Sequence, residues 1–399
     1  MIDRRLAGVV TTALAIGAIA VATLRPDWSQ TDPIYQRCLI CGDQPLADGL
    51  ANVLLFVPLG LGLALAAVRG RRVWIVGASL SCLVEVIQLL LPGRYPSVGD
   101  VVCNTLGTVA GAAAVWKFQP WIRTATAKGG LVAATGLCLV FLATGWLLSP
   151  SLPATEYWVQ WTPYLGNLEW YRARVLRSEL GGQAVRPGRI PDSPAARTAL
   201  REGLAITIEA VAGPPVSRLA PLWFIVDVEG REIALVGVDP RDLILRLRTR
   251  AARYGLDQPD IRFHHGLAAV RVGDPLRVRV WRETRAEWCM TVNDRTTCGQ
   301  GISGARGWAL VYHPDAFPAW LRDLLDALWL AALAFPVGLA LRARPAGAAA
   351  LGLVGIALVP GSRWLGLLLP DLLEWGGVVL GLVTGLTITR MGLWPLRTG

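Results

Sequence analysis

Long apolar segments alternate with short basic turns over most of the chain, and this pattern predicts a bundle of membrane-spanning helices. About 20 apolar residues in helical form cross the hydrocarbon core of a bilayer. Eight segments approach this length: 6–24, 50–68, 73–91, 101–116, 131–148, 324–341, 348–359 and 372–388. The seventh spans fully only if it extends to residue 369, through Pro360 and Arg363. We therefore predict a polytopic α-helical membrane protein of about eight helices.

The apolar period changes to two between about residues 150 and 320. Leu276, Val278 and Val280 alternate with arginine and tryptophan, as in a strand with one buried face. Further strands are predicted at 205–209, 223–227, 243–247 and 308–312. Turn residues separate these segments, which predicts an inserted antiparallel β domain, as a sandwich rather than a barrel.

Four domains follow from these changes in pattern. They are a four-helix membrane half (1–128), a fifth helix (129–149), the β domain (150–320) and the C-terminal helices (321–399).

Composition and charge support membrane insertion and predict its direction. The chain is 53% hydrophobic and 17% charged, with a mean hydropathy of +0.44, which argues against an ordinary soluble enzyme. The net charge is +10, and bases cluster in the short turns between the apolar segments, at one end of the predicted spans. By the positive-inside rule both termini are cytoplasmic and the β domain faces outward. No basic helix or aromatic RNA-binding motif is present, so nucleic acid is not an expected partner.

Cysteine usage agrees with an outward β domain. Cys38 and Cys41 lie in one polar loop, and Cys289 and Cys298 flank a tight turn in the β domain. In an oxidising compartment each pair could form a disulfide. No metal site and no cofactor are predicted, and no catalytic motif is present, so no catalytic residue is assigned.

The second membrane half repeats features of the first. The segment from Asp48 to Leu63 aligns without gaps with Asp326 to Leu341, and Gly107 and Gly111 resemble Gly381 and Gly385. This suggests two four-span halves in parallel orientation, with chance similarity among apolar helices as the alternative. The segment 6–24 would then be a retained helix, although its basic start also resembles a cleavable signal peptide. On this alignment Asn52 corresponds to Leu330 and Glu85 has no counterpart.

Polar side chains at helical spacing mark the first half as the functional centre. Ionisable groups are costly inside a bilayer and usually functional. The candidates all fall within roughly 10 Å of the outer surface at 1.5 Å per helical residue. The alternative is that they satisfy one another and only lock the helices together. The candidates are Asp48, Asn52, Glu85, Gln88, Arg94, Asp100 and Asn104.

The same residues, with Pro58, Gly60 and the Pro92-Gly93-Arg94 turn, resemble the VanZ-like membrane family over about 48–116. The resemblance implies a bacterial inner-membrane protein of the cell envelope. It also implies a link to resistance to the glycopeptide teicoplanin, which founding members of the family show. It supplies no catalytic assignment. The strand pattern of the β domain is also similar to laminin-G and concanavalin-like sandwiches, which often bind glycans.

Three functions are compatible with these features. The first is binding or processing of a lipid-linked or surface glycan at the outer leaflet, with membrane lipids as surrounding partners. The second is transport of a small solute or ion. The third is a non-catalytic membrane scaffold that presents a glycan-binding domain.

Overall fold

The computed structural model describes residues 4–26, 44–94, 96–123, 127–166, 168–312, 317–341 and 344–390. A helical part and a β domain account for these residues. The helices are α1 (Arg4–Thr23), α2 (Pro45–Leu65), α3 (Arg71–Gln88), α4 (Val98–Arg123), α5 (Ala127–Leu148), α6 (Ser193–Glu202), α7 (Ala319–Ala340), α8 (Arg344–Ile356), α9 (Ser362–Leu365) and α10 (Leu372–Arg390).

Five stretches within the described helices are long and apolar enough to cross a membrane, and α10 contributes the shorter apolar stretch Leu372–Ile388. The five are Arg4–Thr23, Pro45–Leu65, Val98–Lys117, Gly129–Leu148 and Gly347–Leu365. Helices α3 and α7 carry several charged residues within otherwise apolar sequence. A membrane-embedded helical part is thus present, while the expected total of eight spans stays a prediction.

The inserted domain is a β-sandwich of two six-stranded antiparallel sheets. The first has the strand order β4-β1-β6-β7-β8-β9 and the second β12-β11-β10-β5-β2-β3. Both contribute to one apolar core, in which Tyr157, Ile208, Trp223 and Phe263 are fully buried. The strands are β1 (Tyr157–Trp161), β2 (Arg174–Leu180), β3 (Gln183–Val185), β4 (Gly188–Arg189), β5 (Ile206–Val211), β6 (Ala220–Asp227), β7 (Glu232–Asp239), β8 (Asp242–Leu247), β9 (Ile261–Phe263), β10 (Pro275–Arg282), β11 (Trp288–Val292) and β12 (Arg295–Gln300).

The predicted strand at 308–312 is wrong. Residues Gly304–Leu310 form a 3-10 helix that lies against α5 and α7. A β-carbon at Gly304 would lie 2.1 Å from the ring of Phe141, and one at Gly307 would lie 2.7 Å from the indole of Trp329. Close packing on two helices therefore outweighs the apolar alternation that suggested a strand.

Helix α6 was not predicted, although its ends carry clear signals. The side chain of Asp192 accepts a hydrogen bond from the Ala195 amide at the N-terminus, and Gly203 ends the helix in the left-handed conformation with φ of 71°. An aspartate cap followed by proline and ended by glycine is typical of a short helix.

The two helical halves contain equivalent helix crossings, α2 with α4 in the first half and α7 with α10 in the second. A β-carbon at Gly107 on α4 would lie 2.2 Å from the Val53 backbone oxygen on α2, and one at Gly381 on α10 would lie 2.2 Å from the Ala331 oxygen on α7. The predicted alignment pairs these same positions. Small residues let the backbones approach this closely. Two further contacts of this kind recur in both halves. The contact of Gly111 with Val57 corresponds to that of Gly385 with Phe335, and the contact of Gly60 with Thr108 corresponds to that of Gly338 with Leu382.

The halves differ in the third helix of each set. Helix α3 packs on α4, whereas its sequence counterpart α8 packs on α5. Helix α1 lies close to α2, since a β-carbon at Gly8 would lie 2.3 Å from the Ala66 amide nitrogen. Helix α1 thus packs on α2 in the first half, while its retention in the mature protein stays a prediction.

The β domain is attached to one end of the bundle by several contacts. The Ala47 amide at the start of α2 donates to the Gly255 carbonyl at 3.0 Å, and the Leu368 amide donates to the Ile302 carbonyl at 2.9 Å. Leu148 at the end of α5 joins a small apolar cluster with residues of the β domain. The starts of α2, α4, α7 and α10 and the ends of α3 and α5 lie toward this end of the bundle.

Candidate functional site

A polar cluster lies in the first half where α2, α3 and α4 meet. The Asn52 side chain on α2 donates to the Asp100 carboxylate in the first turn of α4. Asp100 is in electrostatic range of Glu85 near the end of α3. The Glu85 carboxylate accepts a hydrogen bond of 2.8 Å from the Ser97 amide. The structure thus brings together acids and amides from three helices, at the end of the bundle that bears the β domain.

Asn104 lies one helical turn beyond Asp100, and the residue is 1% exposed. Its Nδ2 donates to the Ser81 hydroxyl on α3 at 2.9 Å. Among the described residues its Oδ1 has no hydrogen-bond partner. A buried amide oxygen without a donor costs free energy, roughly 1–3 kcal/mol. A ligand or a water that donates to this oxygen would remove that cost.

Gln88 and Arg94 serve another part of the same end of the bundle. Gln88 Nε2 donates to the Thr23 carbonyl at 3.0 Å, and Arg94 Nε donates to the Arg25 carbonyl at 2.8 Å. Both therefore hold the C-terminal end of α1 and do not complete the Asn52–Asp100–Glu85 cluster. Asp48 is exposed in the first turn of α2, at the outer edge of the cluster.

A second pair of buried acids, in α7 and α10, was only half recognised from the sequence. Asp326 was aligned with Asp48, but the alignment of Gly107 with Gly381 also pairs Asp100 with Glu374. Extending that glycine alignment by two helical turns would have found Glu374. Both acids are buried, so the second half retains more of the polar set than the sequence alignment predicted.

The segment after β12 binds both acids of the second half. Trp308 Nε1 donates to Asp326 Oδ1 at 2.7 Å, and Arg306 Nε donates to Asp326 Oδ2 at 3.2 Å. The Ser303 hydroxyl donates to Glu374 Oε1 at 2.6 Å. These contacts fix the β domain to α7 and α10, and they give the two carboxylates a structural role.

A group of charged residues lies on β8 and on the edge strand β9 of the β domain. Asp242 contacts Arg262 at 3.0 Å and His264 Nδ1 at 3.1 Å, and it accepts from the His265 amide at 2.9 Å. Burial alone would raise the pKa of Asp242, but these hydrogen bonds and charges outweigh burial and lower it. The described residues contain no group of three or more His, Cys, Asp or Glu side chains suited to a metal ion.

The predicted cysteine pairs differ in what the structure describes. Cys289 and Cys298 form a disulfide across the β11–β12 hairpin. The turn between the two strands places Asn293 at φ of 51°, a conformation that asparagine tolerates better than most residues. Cys38 and Cys41 lie outside the described residues.

The polar cluster lies within the part of the chain that matches a known family model. Residues 12–119 match the family model described as VanZ/LLP1. This region of the chain is VanZ-like. The match takes in most of α1, all of α2 and α3 and most of α4, and it confirms the resemblance seen over 48–116. Every residue of the polar cluster lies inside the VanZ-like region.

The remainder of the chain lies outside this match. No curated protein and no solved structure matches the chain. The likeness of the β domain to laminin-G sandwiches therefore stays a prediction, and the β domain and the C-terminal helices must be interpreted from their own geometry.

Proposed function

We propose that the VanZ-like region binds the sugar head of a lipid-linked or surface glycan of the cell envelope, at the outer leaflet of the bacterial inner membrane. The observation that carries this proposal is the buried Asn104 Oδ1, which has no hydrogen-bond donor among the described residues and lies one turn from Asp100 of the Asp100–Glu85 pair. The site combines carboxylate and amide oxygens, all of them hydrogen-bond acceptors. A ligand rich in hydroxyl donors suits such a site.

The position of the cluster supports a ligand that is partly lipid. Asp100 lies in the first turn of α4, and Ser97 just before it binds Glu85. The cluster is therefore near a membrane boundary, with apolar helix surface below it. The β domain contacts the same end of the bundle through Ala47 and Gly255, so that a sugar chain leaving the cluster would meet it. An outward β domain is part of this proposal.

Binding of a defined glycolipid tests the proposal. The full chain in nanodiscs is titrated with a polyprenyl-diphosphate disaccharide and with the same polyprenyl diphosphate without sugar. We expect preference for the sugar-bearing lipid, and we expect Glu85→Gln and Asp100→Asn each to weaken it by roughly 10- to 100-fold, as for loss of a charged hydrogen bond of about 1.5–3 kcal/mol.

The matched control is Thr105→Val on the same helix. Thr105 donates to the Val101 carbonyl within α4 and does not belong to the cluster, so this variant should bind like the parent protein. Equal affinity for the two lipids would contradict the proposal. So would normal binding by both acid variants, which would favour the scaffold function instead.

A role in glycopeptide resistance is a separate part of the proposal. It rests on the family resemblance alone. Expression of the full chain in a susceptible bacterium should raise the teicoplanin concentration that inhibits growth, and Glu85→Gln at equal expression should abolish the increase. An unchanged inhibitory concentration would remove the resistance role without affecting glycan binding.

A further inference from the structure

A cavity of about 220 Å³ lies between the β domain and the helical bundle, away from the polar cluster. The ends of two candidate membrane spans line it, at Leu148 of α5 and at Leu365 after α8. Its remaining wall comes from the inner edge of the sandwich, including Leu245, Leu247 and Ile261. The cavity is therefore at the level where the bilayer meets water.

Two arginines, Arg282 at the end of β10 and Arg285 in the turn after it, also line the cavity, and no carboxylate of the described residues does so. Neither guanidinium forms an ion pair with a described carboxylate. Arg282 is half-buried, and burial, together with the nearby charge of Arg285, lowers its pKa despite the opposing influence of Glu202. Two close positive charges beside an apolar wall would be stabilised by an anion.

Exposed tryptophans lie at the ends of the two spans that line the cavity. Trp364 lines it and is 73% exposed. Trp146 of α5 is also exposed, and the Arg250 guanidinium lies 5.2 Å from the centre of its ring. Exposed tryptophans at span ends are typical of the interfacial belt, where lipid phosphates lie.

We infer that this cavity binds the headgroup of an anionic phospholipid, with Arg282 and Arg285 on the phosphate and the Leu148–Leu365 side against the first part of an acyl chain. Binding pockets for whole small molecules usually enclose about 300–1,000 Å³, so a cavity of about 220 Å³ holds only part of a lipid. Basic side chains close to an anionic lipid attract its headgroup. A bound lipid would fill the joint between the β domain and the bundle.

Native mass spectrometry of the full chain tests this inference. The protein is released from nanodiscs that contain equal amounts of phosphatidylglycerol and phosphatidylcholine, and the retained lipid is identified. We expect phosphatidylglycerol to be retained selectively. Each of Arg282→Gln and Arg285→Gln should lower retention about fivefold and the double variant about 30-fold, since one basic residue near anionic lipid contributes about 1 kcal/mol.

Two controls separate binding from folding. Arg282 also donates to the Arg201 carbonyl and stacks on Trp288, so its variant could perturb the hairpin. Arg285 is exposed, and its variant tests the charge alone. Arg279→Gln, on the same strand but outside the cavity, should retain lipid like the parent protein.

Three results would overturn the inference. They are equal retention of the two lipids by the parent protein, undiminished selectivity in the double variant, and release of phosphatidylglycerol by inorganic phosphate alone, which would indicate a simple anion site. The inference does not rest on glycan binding, because Glu85→Gln leaves this cavity unchanged and should not alter phosphatidylglycerol retention.

Discussion

Two adjacent glycines of α10 provide a direct test of the helix crossing. A β-carbon at Gly377 would lie 2.1 Å from the Ala327 backbone oxygen of α7, whereas one at Gly376 would have no atom within 4 Å. Ordinary van der Waals contact begins at about 3.4 Å. Gly377→Ala must therefore separate α7 from α10 by about 1 Å, and Gly376→Ala must not.

The difference between the two variants isolates the cost of overpacking. Each replaces glycine by alanine in a helix, which alone favours the folded state by roughly 0.8–1 kcal/mol. Forcing a methyl group into a closely packed interface costs about 1–3 kcal/mol. Gly376→Ala should be neutral or stabilising, and Gly377→Ala should be less stable than Gly376→Ala by about 1–3 kcal/mol.

Unfolding of the full chain in detergent, followed by helical circular dichroism, measures both variants. Equal stability of the two would refute the crossing of α7 and α10. A second comparison uses one glycine from each half, because a β-carbon at either Gly107 or Gly381 would lie 2.2 Å from the backbone oxygen of the facing helix. Gly107→Ala and Gly381→Ala should therefore cost similar amounts, and a large inequality would count against the duplication.

Three further predictions concern the β domain and its attachment. Replacing Cys289 and Cys298 by alanine should lower the unfolding free energy by about 2–3 kcal/mol, as expected for a short closed loop, in denaturant titrations compared with the untreated parent. The folded state lowers the pKa of Asp242, so the stabilising contribution of this carboxylate should be complete above about pH 4 and decline at lower pH. In a plot of unfolding free energy against pH, Asp242→Asn should therefore reduce the loss of stability below about pH 4. Asp326→Leu should leave the partly buried Arg306 charge without its partner and lower the unfolding free energy by about 3–5 kcal/mol. The expected result is faster protease cleavage between the β domain and the bundle. Cleavage at the rate of the parent protein would contradict the role of Asp326 in attaching the β domain.

Periodicity in the sequence predicted the larger elements because each has one strong pattern. The apolar segments became helices, and the alternation at Leu276–Val280 became β10. Predictions of shorter elements were wrong where tertiary contacts determine the local structure. Gly304–Leu310 has strand-like alternation but forms a 3-10 helix that packs on Phe141 and Trp329. The hydrogen-bond partners of Gln88 and Arg94 could not be predicted from the sequence either, because they are backbone carbonyls at the end of α1.

Matching positions in the two halves have different surroundings, and this difference favours the first half as the ligand site. The positions of Asn52 and Asn104 are taken in the second half by Leu330 and Val378, which belong to an apolar core.

The acids at matching positions differ in the same way. In the second half they are bound by Ser303, Arg306 and Trp308 of the inserted domain. In the first half Asp100 has an amide partner from α2, and the amide oxygen one turn below it has no described partner. One half thus uses its acids to hold the β domain, and the other keeps amides where its counterpart has apolar side chains. Buried amides cost stability unless they are satisfied, and in the described residues only the Asn104 Oδ1 of this set has no partner; the proposed ligand would supply the donor for that oxygen.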